Sequence, residues 1–410
     1  MTARGAARIR ARHPWVFRQD VARGPESDAA GAGPSLVAVE DPRGRRLGTA
    51  TWAAHARLAL RMVDVEGSTN AGRVITPGGT AAIVALVQAR LPAACARRET
   101  VATDRDAYRV CHAEADALPG LFIDRYADVA VLQTASIAMD AARVELAALV
   151  REHLSVRAVI ARDDGSMRDF EGLPRLPPAI LDGGGPTRVV YRLGPNLLEA
   201  DLLTDGKTGG FLDQADNHQT VAALAPRGAR GLDAFAYHGG FALALARRGG
   251  AVLATDEDPA AVARLTANAA RNGLARLEAR PANAFDLLRD AEARGARFDV
   301  VVLDPPALAK RGGTAGDAAQ RRMILDGADR AYKEIILRGL RLAAPGGLVV
   351  ACSCSGRVTR AHWDEMCAAA AADSGRAVQV VARLGAGRDH PELVGVPETG
   401  HLKCWILRAL

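Results

Sequence analysis

The stretch LVVACSCSGRVT, Leu348 to Thr359, sets two cysteines two residues apart where an apolar run gives way to small polar residues. Residues i and i+2 of a strand share a face with Cα atoms about 6.6 Å apart, the far limit for a disulfide. A metal would need more ligands at fixed spacing, and the nearby His362 falls on the helix expected to follow. Packing and nucleophilic chemistry remain. Cys352, inside the apolar run, has the setting of a small buried hydrophobe, whereas Cys354, between Ser353 and Ser355 at the exit, has that of a nucleophile. A second apolar run, FDVVVLDPP, ends in Asp304. The two prolines after it hold an extended, rigid backbone whose carbonyls are open to a flat base, and the acid can orient or deprotonate that base.

Further candidates close similar runs. DAFAYHGGF, Asp233 to Phe241, carries two adjacent glycines at the opening of a helix, which lets a ligand approach the backbone. It is not the G-x-G-x-x-G that cradles a pyrophosphate. Asp256 ends the next run at about the ~20-residue spacing from which an acid accepts hydrogen bonds from ribose hydroxyls. Asn283 follows in PANAFDLL, as a turn former or as an acceptor for an adenine amino group. A nucleoside cofactor without a pyrophosphate fits S-adenosylmethionine (SAM) better than NAD.

The elements that must hold these residues alternate. Beyond Gly231, GLDAF, AVLATDED, FDVVVLDPP and GGLVVACSC read as strands and FALALARRG and PAAVARLTANAARNG as helices. The second helix has Asp258 as N-cap, Pro259 at N1 and Gly273 at its stop. The near-continuous apolar runs are those of strands covered on both faces of a parallel sheet, a doubly wound α/β domain whose ligands bind beyond the carboxyl ends of its strands.

Before that domain, short β-type runs from Arg8 to about Val65 predict a small, mostly β domain, and GSTNAGRVITPGG reads as a linker. An α+β domain follows. The expected division is 1–70, 79–192 and 196–410. A chain of 410 residues exceeds one hydrophobic core. With 49% apolar and 24% charged residues and no run of about 18 apolar residues, it reads as a soluble globular protein. The six cysteines form no C-x-x-C pair, and the N-terminus lacks a secretory apolar core, so a cytoplasmic, reducing location is expected. Residues 1 to 61 hold eleven arginines against five acids, a surplus equal to the whole chain's +6. Such a segment is an electrostatic footprint for a phosphate backbone, with Arg8, Arg10 and Arg12 as its candidates. The same domain offers a contact for a homodimer.

Over nearly its whole length the sequence resembles a known family, the class I SAM-dependent 23S ribosomal RNA methyltransferases that act at C5 of cytosine and carry an N-terminal PUA domain. The residues concerned are RHPWVF (12–17), EADALPGLFIDRY (114–126), KTGGFLDQADN (207–217), DAFAYHGGF, LDPPALAK, AYKEI (331–335), SCSG (353–356) and DHPELVGVPETGHLK (389–403). The resemblance implies a PUA-like RNA-binding domain, an α+β middle domain and a Rossmann-like class I methyltransferase domain, with ribosomal RNA as partner and SAM as cofactor. It implies cofactor contacts from Gln214, Asp233, Phe235, Tyr237, Gly239, Asp256, Asn283, Ala284 and Asp304. It makes Cys354 the nucleophile with Asp304 as its catalytic companion, and adds Lys310 to the RNA contacts. The chain departs from the family pattern at His238, Asn283, His218 and Ala307-Leu308. Two alternatives stay open: methylation of an exocyclic amino group, and an RNA-binding assembly factor without activity.

Overall fold

In the computed structural model, residues 1–24, 35–67, 78–308 and 318–410 are described, with side chains in the helix from 318 onward described from 326. The linker's residues 68–77 and Lys310 lie outside the described residues. The chain forms two compact units, one of Met1–Leu193, Ala200–Leu212 and Asp389–Pro397, the other of Gly194–Glu199, Asp213–Arg388 and Glu398–Leu410.

The first unit opens with helix α1 (Ala3–Arg10) where no element was expected, capped by the Thr2 hydroxyl on Gly5 N–H. Alanine and arginine favour helix, and Gly5, Ala6 and Ile9 bury one stripe of it. Strands β1 (Trp15–Phe17), β2 (Ser35–Glu40), β3 (Arg46–Trp52) and β4 (Leu58–Val65) form an antiparallel sheet of order β1-β4-β3-β2. The next segment contains helices α2 (Thr80–Ala96), α3 (Glu99–Ala102), α4 (Ile137–Ala141) and α5 (Arg143–Leu154). Its sheet, in sequential order, is β5 (Ala107–His112), β6 (Leu121–Tyr126), β7 (Val129–Thr134), β8 (Ala158–Ala161) and β9 (Ala179–Gly183). Two stretches expected in the C-terminal domain belong to this unit. Asp389 is buried there, its carboxylate accepting from Arg109 N–H at 2.8 Å and its carbonyl from Arg98 at 3.1 Å. Thr208 donates to Asp124 at 2.7 Å.

Strands β10 (Arg188–Leu193) and β11 (Asn196–Asp201) and helix α6 (Ala215–Leu224) precede the second unit's sheet. That sheet has the order β14-β13-β12-β15-β16-β18-β17. Its parallel strands are β12 (Arg230–Asp233), β13 (Ala251–Asp256), β14 (Leu277–Pro281), β15 (Phe298–Leu303) and β16 (Ala343–Ser353). Helices α7 (Gly240–Arg247), α8 (Pro259–Arg271), α9 (Ala284–Ala293) and α10 (Ala318–Leu342) connect them. After α11 (Arg360–Ser374) come β17 (Val378–Leu384) and β18 (Lys403–Ala409), both beyond the sequence expectation; β18 runs antiparallel between β16 and β17.

The apolar runs explain themselves in this sheet. Val300 and Val302 of β15, with Leu348, Val350 and Cys352 of β16, face one core, while Val301, Leu303, Val349 and Ala351 face the other. Both faces are covered, so alternation disappears. Helix α8 begins and ends as expected, with the Asp258 carboxylate capping Ala260 N–H and Gly273 left-handed at φ +65°.

Candidate active site

The order of strands reverses between β12 and β15, and the candidate residues gather at the carboxyl ends around this switch point. Asp233 closes β12. One of its carboxylate oxygens accepts from Ala242 N–H at 3.1 Å, and the other is buried with no hydrogen-bond partner. Burial, with the carboxylates of Asp304 and Asp256 adding to it, pushes this acid up to about 8. The loop after it folds over Asp256, whose two oxygens accept from Tyr237 N–H at 2.9 Å and Asp258 N–H at 3.0 Å. Tyr237 is left-handed at φ +46° and Gly239 at φ +95°, and a Cβ on Gly239 would stand 3.0 Å from Leu265 Cγ. A tight loop beside a buried carboxylate oxygen with no hydrogen-bond partner is a setting into which a nucleoside-bearing cation such as SAM would fit. The residues fit the cofactor.

Three of the family departures, His238, His218 and Asn283, have a defined place in the structure. His238 stacks on Tyr237 with ring centroids 3.7 Å apart and is lowered to about 3 by burial, then by Arg264, so its ring is neutral. His218 packs where a Cβ on Gly240 would collide with it. Asn283 caps α9, its side-chain oxygen accepting from Phe285 N–H at 3.0 Å and Asp286 N–H at 3.3 Å. That commits the oxygen expected for adenine to the helix. Ala284 is the buried first residue of the same helix.

Asp304 and Cys354 follow neighbouring strands that pair through Leu303 and Ala351. Asp304 and Cys354 are both half-buried. Cys352, by contrast, is fully buried opposite Cys404, and burial pushes its thiol well above the ordinary range; the Gln214 amide lies against it. Gln214 also accepts from Asn217 at 2.6 Å. Phe235 packs against the core beneath β15 and β16. Sequence reasoning passed over Tyr332 and Lys403. Both are buried beside the S-C-S-G turn, and the signal for the second was a lysine inside the otherwise apolar run LKCWIL. Among the described residues no group of three His, Cys, Asp or Glu side chains is arranged for a metal.

In the first unit a cleft of about 380 Å³ is lined by Ile9, Arg10, Arg12, Arg45, Arg46, Leu47, Val65 and Glu66. Asp41 fixes two of the arginines, accepting from Arg10 at 2.7 Å and from Arg45 Nε at 3.0 Å. Arg8 lies outside this lining, its guanidinium 5.0 Å above the Phe17 ring and 3.3 Å from His13 Nε2. Arg45, just before β3, and Arg46, its first residue, were not anticipated.

Sheet, switch point and loop are those of a SAM-dependent methyltransferase with a Rossmann-like fold. A solved structure described as a methyltransferase complexed with SAH superposes with a TM-score of 0.77 at 16% identity, covering 99% of this chain and 98% of that one. Another, described as a SAM-dependent methyltransferase from Streptococcus mutans, gives 0.76 at 16% identity and covers 100% and 99%. Residues 1–64 match the model of a PUA-like domain, and 219–315 that of conserved hypothetical protein 95. Ribosomal RNA large subunit methyltransferase I of Photobacterium profundum is 33% identical over 406 residues, covering 96% of this chain and 95% of that protein. Its counterpart in Aeromonas hydrophila is 32% identical over 408 residues, covering 97% and 96%. The chain belongs to this family of ribosomal RNA large subunit methyltransferases.

Proposed function

We propose that this methyltransferase modifies C5 of a cytosine in large-subunit ribosomal RNA through a covalent adduct with Cys354. The observation that carries the reading is the contrast at the end of β16, where Cys352 is sealed in the core and Cys354 stands half-buried beyond the strand, next to the end that bears Asp304. Carbon 5 of cytosine is a poor nucleophile, so the chain must raise its electron density. The Cys354 thiolate adds to C6, and the electron pair moves toward C5. Asp304 holds the N3 and N4 edge and keeps the base protonated during attack. Bound SAM supplies an electrophilic methyl group. Once C5 carries the methyl group and the spent cofactor is left as its neutral thioether, a base takes the C5 proton; the C–H pair forms the C5=C6 double bond and the S–C6 pair leaves with sulfur, releasing 5-methylcytosine and the Cys354 thiolate.

The cofactor would lie on Asp233, Phe235, Tyr237 and Gly239, with its ribose on Asp256, its adenine near Asn283 and Ala284, and Gln214 and Asp304 at its reactive end. RNA would be gripped by the N-terminal β segment, residues 1–70, acting as a domain distinct from residues 79–192, through Arg10 and Arg12 of the arginine cleft. Base chemistry requires the target nucleotide to leave its stack, and that reading supplies the phosphate contacts which hold the flanking strand. The test is methyl transfer from labelled SAM to ribosomal RNA by wild type and Cys354→Ala, with the product nucleoside identified. 5-Methylcytidine from the wild type and none from the variant is the expected result. An active variant would return Cys354 to packing and move the reaction to an exocyclic amino group.

A further inference from the structure

Lys403 is 1% exposed at the start of β18, directly opposite Ser353 in the antiparallel ladder. Its ammonium donates to the Ser355 carbonyl at 2.6 Å and to the His401 carbonyl at 2.9 Å. Ser355 N–H in turn donates to the Ser353 hydroxyl at 3.3 Å, and that hydroxyl donates to the Tyr332 phenol oxygen at 3.2 Å. The same phenol oxygen accepts from Leu308 N–H at 3.4 Å, in the loop that follows Asp304. Both residues flanking Cys354 are therefore fixed by buried side chains, and one of those side chains is a cation. Burying an ammonium costs free energy that methionine at the same place would not incur, so packing does not account for a lysine here.

We propose that Lys403 is a positioning residue for Cys354: it fixes the carbonyl of Ser355, the next residue in the chain, and places a buried positive charge beside the S-C-S-G turn that favours the thiolate. The inference rests on the reading of Cys354 as nucleophile. A thiol attacks only as its anion, and a nearby cation raises the fraction present at neutral pH. Tyr332 interacts electrostatically with both Cys354 and Asp304, and Asp304 with Cys352, two residues back on the strand. A carboxylate there opposes the anion, which gives the lysine's charge work that a neutral donor does not perform.

The experiment uses the full chain as wild type, Lys403→Met and Lys403→Gln, with Cys354→Ala beside them. The rate of Cys354 alkylation by iodoacetamide is followed against pH by peptide mass. The midpoint is expected to rise by about one pH unit or more in both lysine variants. Methyl transfer at pH 7 should fall by about tenfold and recover as pH is raised, with SAM affinity within about twofold of wild type. Lys403→Gln keeps a donor for the Ser355 carbonyl without the charge, so it decides the matter if Lys403→Met does not fold. Unchanged midpoints in the folded variants overturn the role of Lys403 while leaving Cys354 as nucleophile. An active Cys354→Ala overturns the nucleophile and, with it, any catalytic meaning of a shifted midpoint.

Discussion

Asp233 and Asp41 are both buried carboxylates, one at a strand end of the α/β unit and one beside the arginine cleft of the first unit. Burial pushes Asp233 up to about 8, so it holds its proton in the absence of ligand. Burial alone would raise Asp41 as well, but the N–H groups of Arg43 and Arg45 and the Arg45 guanidinium more than offset it and hold the acid well below the usual carboxylate range. The first acid has an oxygen waiting for a partner. The second has committed its oxygens to holding arginines in place. Depth of burial thus says little about charge until the donors are counted, and donor supply separates an acid that keeps its proton from one that stays ionised among arginines.

The sharpest test of this division lies within the α/β unit. Cys354→Ala is expected to lower methyl transfer by about 10³-fold or more, the scale for loss of a nucleophile. Cys352→Ala should retain transfer within a few fold and lose stability instead, because it removes a thiol from a packed core. Comparable losses in both variants would erase the distinction drawn between the two cysteines.

The contrast between the acids predicts opposite dependences on pH. Between about 4 and about 8 an unfolded chain releases the Asp233 proton while the folded chain without ligand keeps it. Folding therefore takes up a proton in that window, and this group's contribution to stability falls as pH rises through it. The cationic groups of SAM favour the ionised acid, so binding expels the proton. SAM affinity should climb with pH by up to about tenfold per unit below about 8 and then level off. Asp233→Asn should bind more weakly and show a flat profile from pH 6 to 8 by calorimetry. A rising profile in the variant would place the titration elsewhere.

At the other acid, Arg45→Ala with Arg46→Ala is expected to weaken ribosomal RNA binding by about tenfold at moderate salt. It should also reduce the slope of log affinity against log salt by about 2, one for each phosphate that an arginine no longer neutralises. SAM affinity should not move. An unchanged salt slope would remove the cleft from the RNA footprint.

Much of the catalytic unit was legible because its signals are local. Valines 300 to 302 announce a strand covered on both faces, and Asp258, Pro259 and Gly273 mark a helix by cap chemistry that needs no tertiary partner. Other features arise only when distant segments meet. Strand β18 inserts antiparallel beside β16, and that register alone brings Lys403 opposite Ser353 and Cys404 opposite Cys352. Arg45 and Arg46 carry no local signal of a site and join one only when the C-terminal end of α1 brings Arg10 and Arg12 to the same cleft. Asn283 offered two local readings, and its oxygen went to the helix cap because two backbone N–H groups lie within reach at no extra cost in chain entropy.

The smallest expected effect concerns Arg8, grouped with Arg10 and Arg12 by sequence alone. Residues 8 and 12 are one helical turn apart by count, but α1 ends at Arg10 and Arg12 is left-handed at φ +63°, so the periodicity that would align them is broken. Arg10 and Arg12 line the cleft; Arg8 covers Phe17 and meets His13. Its stem and planar head do packing work, which a methionine would largely preserve. Arg8→Met should therefore leave RNA affinity within about twofold and the salt slope unchanged, while Arg10→Met lowers the slope by about 1. Equal reductions of slope in the two variants would mean that RNA runs along the helix itself instead of entering the cleft.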